Sequence, residues 1–402
     1  MDLSKITTPN PNRKPLFIPS LSAGGTASSL KKNREIEPGL TSRFYAEDFP
    51  EEFRHPYFLI TAGHFYKKMD ARAQFGLEEV FTFGDSGGFQ IASGAIKWDV
   101  AIRDQILAFL EENSDVAANL DIPPRMSYEG RFQESLDFSY DNFKYFANKQ
   151  QGKTKLLNVL QGNNPSQFNL WYDTVKDFDF KGWCVGGSRR LVDFIYTIAL
   201  FLEKREFERS NNEFIHMLGI SKVSDFFVLS KYQSLINKHY GGKIQLMTDS
   251  SSPGQFPVFG DIIVGPNFHM QKWDQIHVSR DIQYNENDYM PTLYHTPLTK
   301  NWTMKIINDY KQEYYDRATL QNLLVFNKGF NDIFEFTNRD LDLLLGVIPK
   351  DLYIILKSLE EMFEDPDKAM YIYEKYRNYY VNYGGDWVQS QTKEKMSEFF
   401  DI

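Results

Sequence analysis

The sequence predicts an α/β protein: a closed (β/α)8 barrel of the TIM type carrying a C-terminal helical extension. Two observations predict it. Over the first 260 residues short apolar runs alternate with amphipathic stretches, the pattern that lays down a parallel sheet between helices. The apolar runs number eight, and they repeatedly end in a polar or glycine-containing tip. That is how barrel strands read when their C-terminal ends carry the chemistry. The runner-up is an open doubly wound sheet, but no Gly-x-Gly-x-x-Gly follows the first strand.

In order, the expected strands are Leu16 to Ser22, Tyr57 to Ala62, Val80 to Gly84, Val116 to Leu120, Lys155 to Leu160, Gly182 to Val185, Phe214 to Gly219 and Lys243 to Thr248. Helical period fills most of the gaps, over Val100 to Asn113, Tyr128 to Gln150, Asn164 to Asp177 and Leu191 to Ser210. From Pro257 to about Met304 the chain is rich in Asn, Pro, His and Tyr and reads as irregular; helical pattern returns from Lys305. Asp365-Pro366 reads as an N-cap with proline at the first helical position. It opens a helix to about Tyr383 that Gly384-Gly385 ends. Tyr376, Tyr379, Tyr380 and Tyr383 recur at helical spacing; packing against the barrel is the plain reading, stacking on nucleobases the other. The expected organisation is an N-terminal arm (1–14), a catalytic barrel (15–256), an irregular insertion with the closing helices of the barrel (257–337) and a helical extension (338–402).

Composition narrows the class. With 402 residues, 42% of them hydrophobic, the chain can bury a large core. A net charge of −9 argues against a surface coated for bulk nucleic-acid binding. It leaves room for a local basic face, with Lys31, Lys32, Arg34, Arg189 and Arg190 as candidates beside Lys67 and Lys68; any such cluster also reads as ordinary solvated surface. The single cysteine, Cys184, excludes an intramolecular disulfide and a multi-cysteine zinc site. No apolar run reaches the ~18 residues of a membrane span, and Met1-Asp2-Leu3-Ser4-Lys5 has no apolar signal core. The expectation is a cytoplasmic protein without a membrane partner.

The strand ends carry the chemistry. Asp85-Ser86-Gly87-Gly88-Phe89-Gln90 follows the third strand and Asp121-Ile122-Pro123-Pro124 the fourth. Gln161-Gly162-Asn163 follows the fifth, Gly186-Gly187-Ser188 the sixth, Leu218-Gly219 closes the seventh and Asp249-Ser250-Ser251-Ser252-Pro253 the eighth. Three carboxylates at one mouth must share protons, bind a cation or face a substrate that supplies donors. The set suits a planar polar heterocycle. Gly87, Gly187 and Gly219 admit backbone contact, and Phe89 and Leu218 can sandwich a ring. Asp121 can take two N–H bonds from a guanine-like edge, and the Gln161 amide can donate to a carbonyl oxygen. The two remaining carboxylates suit retaining glycosyl chemistry, one as nucleophile and one as acid/base. The histidines His64, His269, His277 and His295 show no ligand spacing, though His64 could line the mouth.

The chain resembles the tRNA-guanine transglycosylase family, the queuine and archaeosine tRNA-ribosyltransferases. The likeness rests on Pro15-Leu16-Phe17-Ile18-Pro19, Asp85-Ser86-Gly87-Gly88-Phe89-Gln90, Leu120-Asp121-Ile122-Pro123, Val159-Leu160-Gln161-Gly162, Cys184-Val185-Gly186-Gly187, Leu218-Gly219 and Met247-Thr248-Asp249, in the family's order. It spans roughly residues 15 to 335, with a weak echo in Leu320-Gln321-Asn322-Leu323. The resemblance implies that Asp249 attacks C1′ of the nucleotide and that Asp85 handles the proton of the leaving and incoming bases. It implies Asp121 and Ser86 as readers of the guanine edge. It implies Gln161 and Gly187 on the base carbonyl side and Phe89 and Leu218 as the stacking pair, with Gly186 and Gly219 also among the base-binding residues. A free 7-deazaguanine base is the implied co-substrate, and a homodimer is possible.

Two departures matter. The family's zinc site of three cysteines and a histidine has no cysteine here, and Gln321 stands where the histidine aligns; no zinc or other cofactor is expected. The Arg-containing stretch that grips the anticodon loop is replaced by Ser250-Ser251-Ser252-Pro253-Gly254-Gln255. Both losses fall on tRNA-docking features. The pattern therefore resembles the zinc-less viral and bacterial 7-deazaguanine DNA transglycosylases, with DNA as substrate, tRNA as the alternative, and the host cytoplasm as location if the source is a virus. A non-catalytic accessory barrel and an ordinary barrel glycosidase are rival readings. The first does not need both Asp85 and Asp249; the second does not explain the Gln-Gly and Gly-Gly tips.

Overall fold

The computed structural model describes residues 3–22, 24–68, 70–124, 131–186, 190–278, 282–285, 287–289, 294–299, 302–305, 311–338 and 341–383. Eight parallel strands form one sheet: β1 (Leu16–Pro19), β2 (Tyr57–Thr61), β3 (Phe81–Asp85), β4 (Val116–Ala118), β5 (Lys155–Leu160), β6 (Gly182–Val185), β7 (Phe214–Met217) and β8 (Gln245–Ser250). Their spatial order is β1-β8-β7-β6-β5-β4-β3-β2, and β1 lies beside β2, so the sheet curls into a nearly closed barrel. All eight expected strands are present. The first is shorter than expected and the last begins two residues later, at Gln245.

Helices cover the barrel. α1 (Gly24–Lys32) follows β1, α2 (Val100–Asn113) follows β3, α3 (Phe132–Lys149) follows β4, and α4 (Pro165–Val175), α5 (Leu191–Glu203) and α6 (Val223–Tyr240) follow β5, β6 and β7. α7 (Lys311–Thr337) returns to pack beside β1 and α6. Local chemistry sets several ends. The Asp99 side chain accepts from Ala101 N at 2.7 Å to start α2, and Asn164 does the same for α4 from Gln167 N at 3.0 Å, with Pro165 in the first turn. The strands are apolar on both faces because one face meets these helices and the other fills the barrel.

Three expectations are corrected. The stretch read as irregular contains an antiparallel ribbon of β9 (Asp261–Asn267) and β10 (Lys272–His277). Asp365 makes no side-chain cap: Pro366–Lys368 is a 3-10 turn, the Asp365 carboxylate takes the Lys368 ammonium, and the helix proper runs over Ala369–Tyr383. The expected helix from Leu191 stops at Glu203, where Arg205 turns left-handed at φ 55° ahead of a 3-10 turn. Gly384 and Gly385 lie outside the described residues. The last helix packs on α5 of the barrel, with Tyr373 against Tyr196, and on the extension, while Tyr371 and Tyr379 are exposed. Tyr380 donates to Ser358 Oγ at 2.8 Å and Tyr376 to Glu361 Oε1 at 2.6 Å, both on α8 (Lys350–Glu364).

The loop after β8, the β9–β10 ribbon and α7 are joined by side-chain amides. Asn322 of α7 accepts from Ile263 N at 2.7 Å and donates to Pro253 O and Asp261 O, pinning the ribbon and the loop after β8 to the helix. Gln321, fully buried, accepts from the Thr296 hydroxyl. No helix among the described residues is long and apolar enough to cross a membrane.

Candidate active site

Parallel strands put all their C-termini at one end of the barrel, and the register places the acidic tips there. Thr61 of β2 pairs with Asp85 of β3, and Ile18 of β1 pairs with Asp249 of β8. Asp121 lies three residues past Ala118, the last residue of β4. The three carboxylates feel one another: Asp249 and Asp121 each interact electrostatically with Asp85. The Cys184 thiol, fully buried, is pushed well up by burial and then by all three, which leaves it an inert filler beneath them.

Each acid sits in a different setting. Asp85 accepts from the Thr61 hydroxyl at 2.7 Å and from Gly87 N at 3.3 Å. Burial outweighs those bonds and holds its carboxyl above the ordinary range; Asp249 adds to the rise and His64 opposes it. A carboxyl whose hold on its proton is strengthened in this way suits an acid/base role. Asp121 is buried and accepts from Gln161 Nε2 at 2.8 Å. Burial, helped by Asp85, pushes it up to about 7 against the pull of Gln161. Asp249 is 14% exposed at its side chain, and its Oδ1 accepts from Gly219 N at 2.9 Å and lies 3.0 Å from His216 Nε2.

Two glycines make this geometry possible. A Cβ at Gly88 would stand 1.9 Å from the Asp121 carbonyl oxygen, so only glycine lets the turn after β3 close on that residue. A Cβ at Gly186 would stand 2.3 Å from Gln161 Nε2 and push the amide off Asp121.

Of the other expected residues, Phe89 is 60% exposed, Leu218 half-buried and Gly219 exposed. Ser86 is buried and its hydroxyl donates to Asn119 O at 3.1 Å, so it braces the β4 loop and keeps only acceptor capacity. Gly187 and Arg189 lie outside the described residues. Arg190 donates twice to Asp193 and reaches Asn163 O, in the loop after β5, at 3.3 Å. Lys31 lies over the rings of Phe65 and Phe75, Arg34 pairs with Asp316 of α7 at 3.0 Å, and Lys32 is exposed. Arg190 thus contacts the loop after β5, and Lys31 the segment after β2.

Two residues escaped the sequence reading, Thr61 and His216. Alternation along Phe214–Leu218 was the available signal for His216, since a period of two puts it on the face of Leu218.

No protein-family model matches the chain, and no curated protein matches it. Among the described residues no three His, Cys, Asp or Glu side chains are grouped as metal ligands.

Proposed function

We propose that this chain is a guanine transglycosylase that exchanges guanine in DNA for a 7-deazaguanine base. One observation carries the reading: three carboxylates share a barrel mouth in three electrostatic settings, each matched to one task. Asp249, fixed through Oδ1, is the nucleophile. Its free oxygen bonds to C1′ as the C1′–N9 bond breaks, and the electron pair leaves with guanine. Asp85, holding its proton above the ordinary range, gives that proton to the departing base. It then takes the proton of the incoming base as N9 attacks C1′ and returns the electron pair to Asp249. Asp121 reads the two-donor edge of the purine, with Gln161 bound to it, and Phe89 and Leu218 stack on the ring.

DNA is preferred over tRNA because the stretch after the nucleophile, Ser250–Gln255, lacks the arginines of the tRNA enzymes. A mouth closed around one purine cannot admit a stacked pair, so the nucleotide must be flipped or single-stranded. The test is transfer of labelled guanine and labelled 7-deazaguanines into duplex DNA, single-stranded DNA and unmodified tRNA. Incorporation into DNA, faster into single strands, is expected. Incorporation into tRNA alone overturns the DNA assignment, and incorporation into none overturns base exchange.

A further inference from the structure

We infer that His216 is the positioning residue of Asp249, fixing Oδ1 so that Oδ2 is the oxygen that bonds to the sugar. The inference rests on the reading of Asp249 as nucleophile. His216 lies on β7 and is fully buried. Its ring stacks on Phe83 with centroids 3.9 Å apart and planes 12° apart. Phe83 belongs to β3, four strands away in an eight-strand order, so the pair spans the barrel and clamps the imidazole from across its interior. Phe83 also precedes Asp85 by two residues, which puts it one layer below the acid. The clamp therefore forms the floor of the mouth.

The hydrogen bonding fixes what the ring does. Nε2 faces Asp249 Oδ1 at 3.0 Å, while Nδ1 is buried with no hydrogen-bond partner among the described residues. An imidazolium would bury an unpaired N–H at Nδ1. The neutral tautomer with its proton on Nε2 leaves only a bare nitrogen there and satisfies the carboxylate. His216 is thus a donor to Asp249 and does not act as its base. Gly219 N adds a second donor to the same oxygen. Oδ1 carries both bonds, and Oδ2 keeps its lone pairs for C1′. Two donors from β7 and the turn after it hold the carboxylate plane in one orientation, and orientation of a nucleophile is worth large factors in rate.

Two variants separate the donor from the packing. His216→Phe keeps an aromatic ring on Phe83 and loses the donor; His216→Gln keeps an amide N–H near the place of Nε2 and loses the stack. In labelled-guanine exchange His216→Phe is expected to lower kcat by about tenfold to a hundredfold, with KM for the base unchanged within about twofold. His216→Gln is expected to recover at least half of that loss on a logarithmic scale. An undiminished kcat in His216→Phe, a loss confined to KM, or equal impairment in both variants overturns the role. A readout independent of activity is the imidazole 15N spectrum of the wild-type protein. A protonated Nε2 and bare Nδ1, with the Nε2 signal shifting in Asp249→Ala, are expected. An Nδ1–H tautomer, or no response to Asp249→Ala, overturns the contact. A wild-type chain that gives the expected spectrum but exchanges base into neither DNA nor tRNA refutes the transglycosylase reading and leaves the His216–Asp249 contact standing.

Discussion

Replacing Asp121 by asparagine should stabilise the protein, and only above acidic pH. The Asp121 carboxyl is held at about 7 in the folded chain against an ordinary 3.8, chiefly by burial. A folded-state value above the unfolded one means that stability is fully present below pH 4 and is lost as pH rises through 7. The gap corresponds to about 4 kcal/mol against the ionised form. The substituted amide never ionises, and its carbonyl oxygen can still accept from Gln161. The difference in unfolding free energy between Asp121→Asn and wild type should therefore grow by several kcal/mol, at most about 4, between pH 4 and pH 8. Urea unfolding of both proteins across that range measures it, and the other titrating groups largely cancel in the difference. A difference that stays flat within about 1 kcal/mol would refute the reasoning. The same carboxyl should couple binding to protons. A guanine edge supplies two donors, which favours the carboxylate, so base binding should release a proton and tighten by up to about tenfold per pH unit below 7. Calorimetry in buffers of different ionisation enthalpy reads that proton directly.

Three further substitutions test other parts of the molecule. Under the proposed function, wild type should trap a covalent glycosyl-enzyme detectable by mass spectrometry, and Asp249→Asn should trap none and lower exchange at least about a thousandfold. Its fold should persist, because the amide oxygen still accepts from Gly219. Gly186→Ala should displace Gln161 from Asp121, since the new Cβ would lie 2.3 Å from Nε2; the expected result is a KM for the base raised about tenfold, the worth of one charge-assisted hydrogen bond, with a stability loss of about 1–3 kcal/mol in denaturant unfolding. Asn322→Leu should cost about 2–4 kcal/mol in denaturant unfolding, because Ile263 N loses its acceptor and two carbonyls lose their donor in the core.

The barrel was legible because each strand is a short apolar run bounded by turn residues, buried on both faces. The β9–β10 ribbon was not. Gly265-Pro266 interrupts its first strand, and Lys272, Asp274 and His277 make the second as polar as a loop. Its stability comes from tertiary anchors, the Asn322 bond to Ile263 and Trp273 stacked on Phe326, which no local pattern announces. α1 was hidden for a related reason: Gly24-Gly25-Thr26-Ala27-Ser28-Ser29 has poor helix propensity, and packing overrides it. At the mouth, the strand-end rule located the acids because it depends only on where strands stop. It could not locate His216, which sits inside a strand and reaches the mouth through Asp249.

Burial by itself does not distinguish a functional carboxylate from a structural one in this fold. Glu206 is 1% exposed. It accepts from the Tyr172 hydroxyl, from Trp183 Nε1 at 2.7 Å and from Asn212 Nδ2 at 2.8 Å, and it pairs with Arg209 at 3.1 Å. Its acceptor sites are filled from within, so it needs nothing from outside and serves the packing of α4 on the barrel. Asp121 is almost as deeply placed, yet the one described side chain that donates to it is Gln161. A buried carboxylate with so little compensation costs several kcal/mol when ionised, and a chain that can surround Glu206 with four partners has the means to do the same elsewhere. Asp121 lies just past the C-terminal end of β4, and in the proposed function the donors it lacks among the described side chains come from the ligand. Under the proposed function a ligand edge with two adjacent N–H groups, the donor pattern of guanine, would fill that deficit and favour the charged carboxylate. A base lacking those donors would leave the deficit in place and be rejected for it.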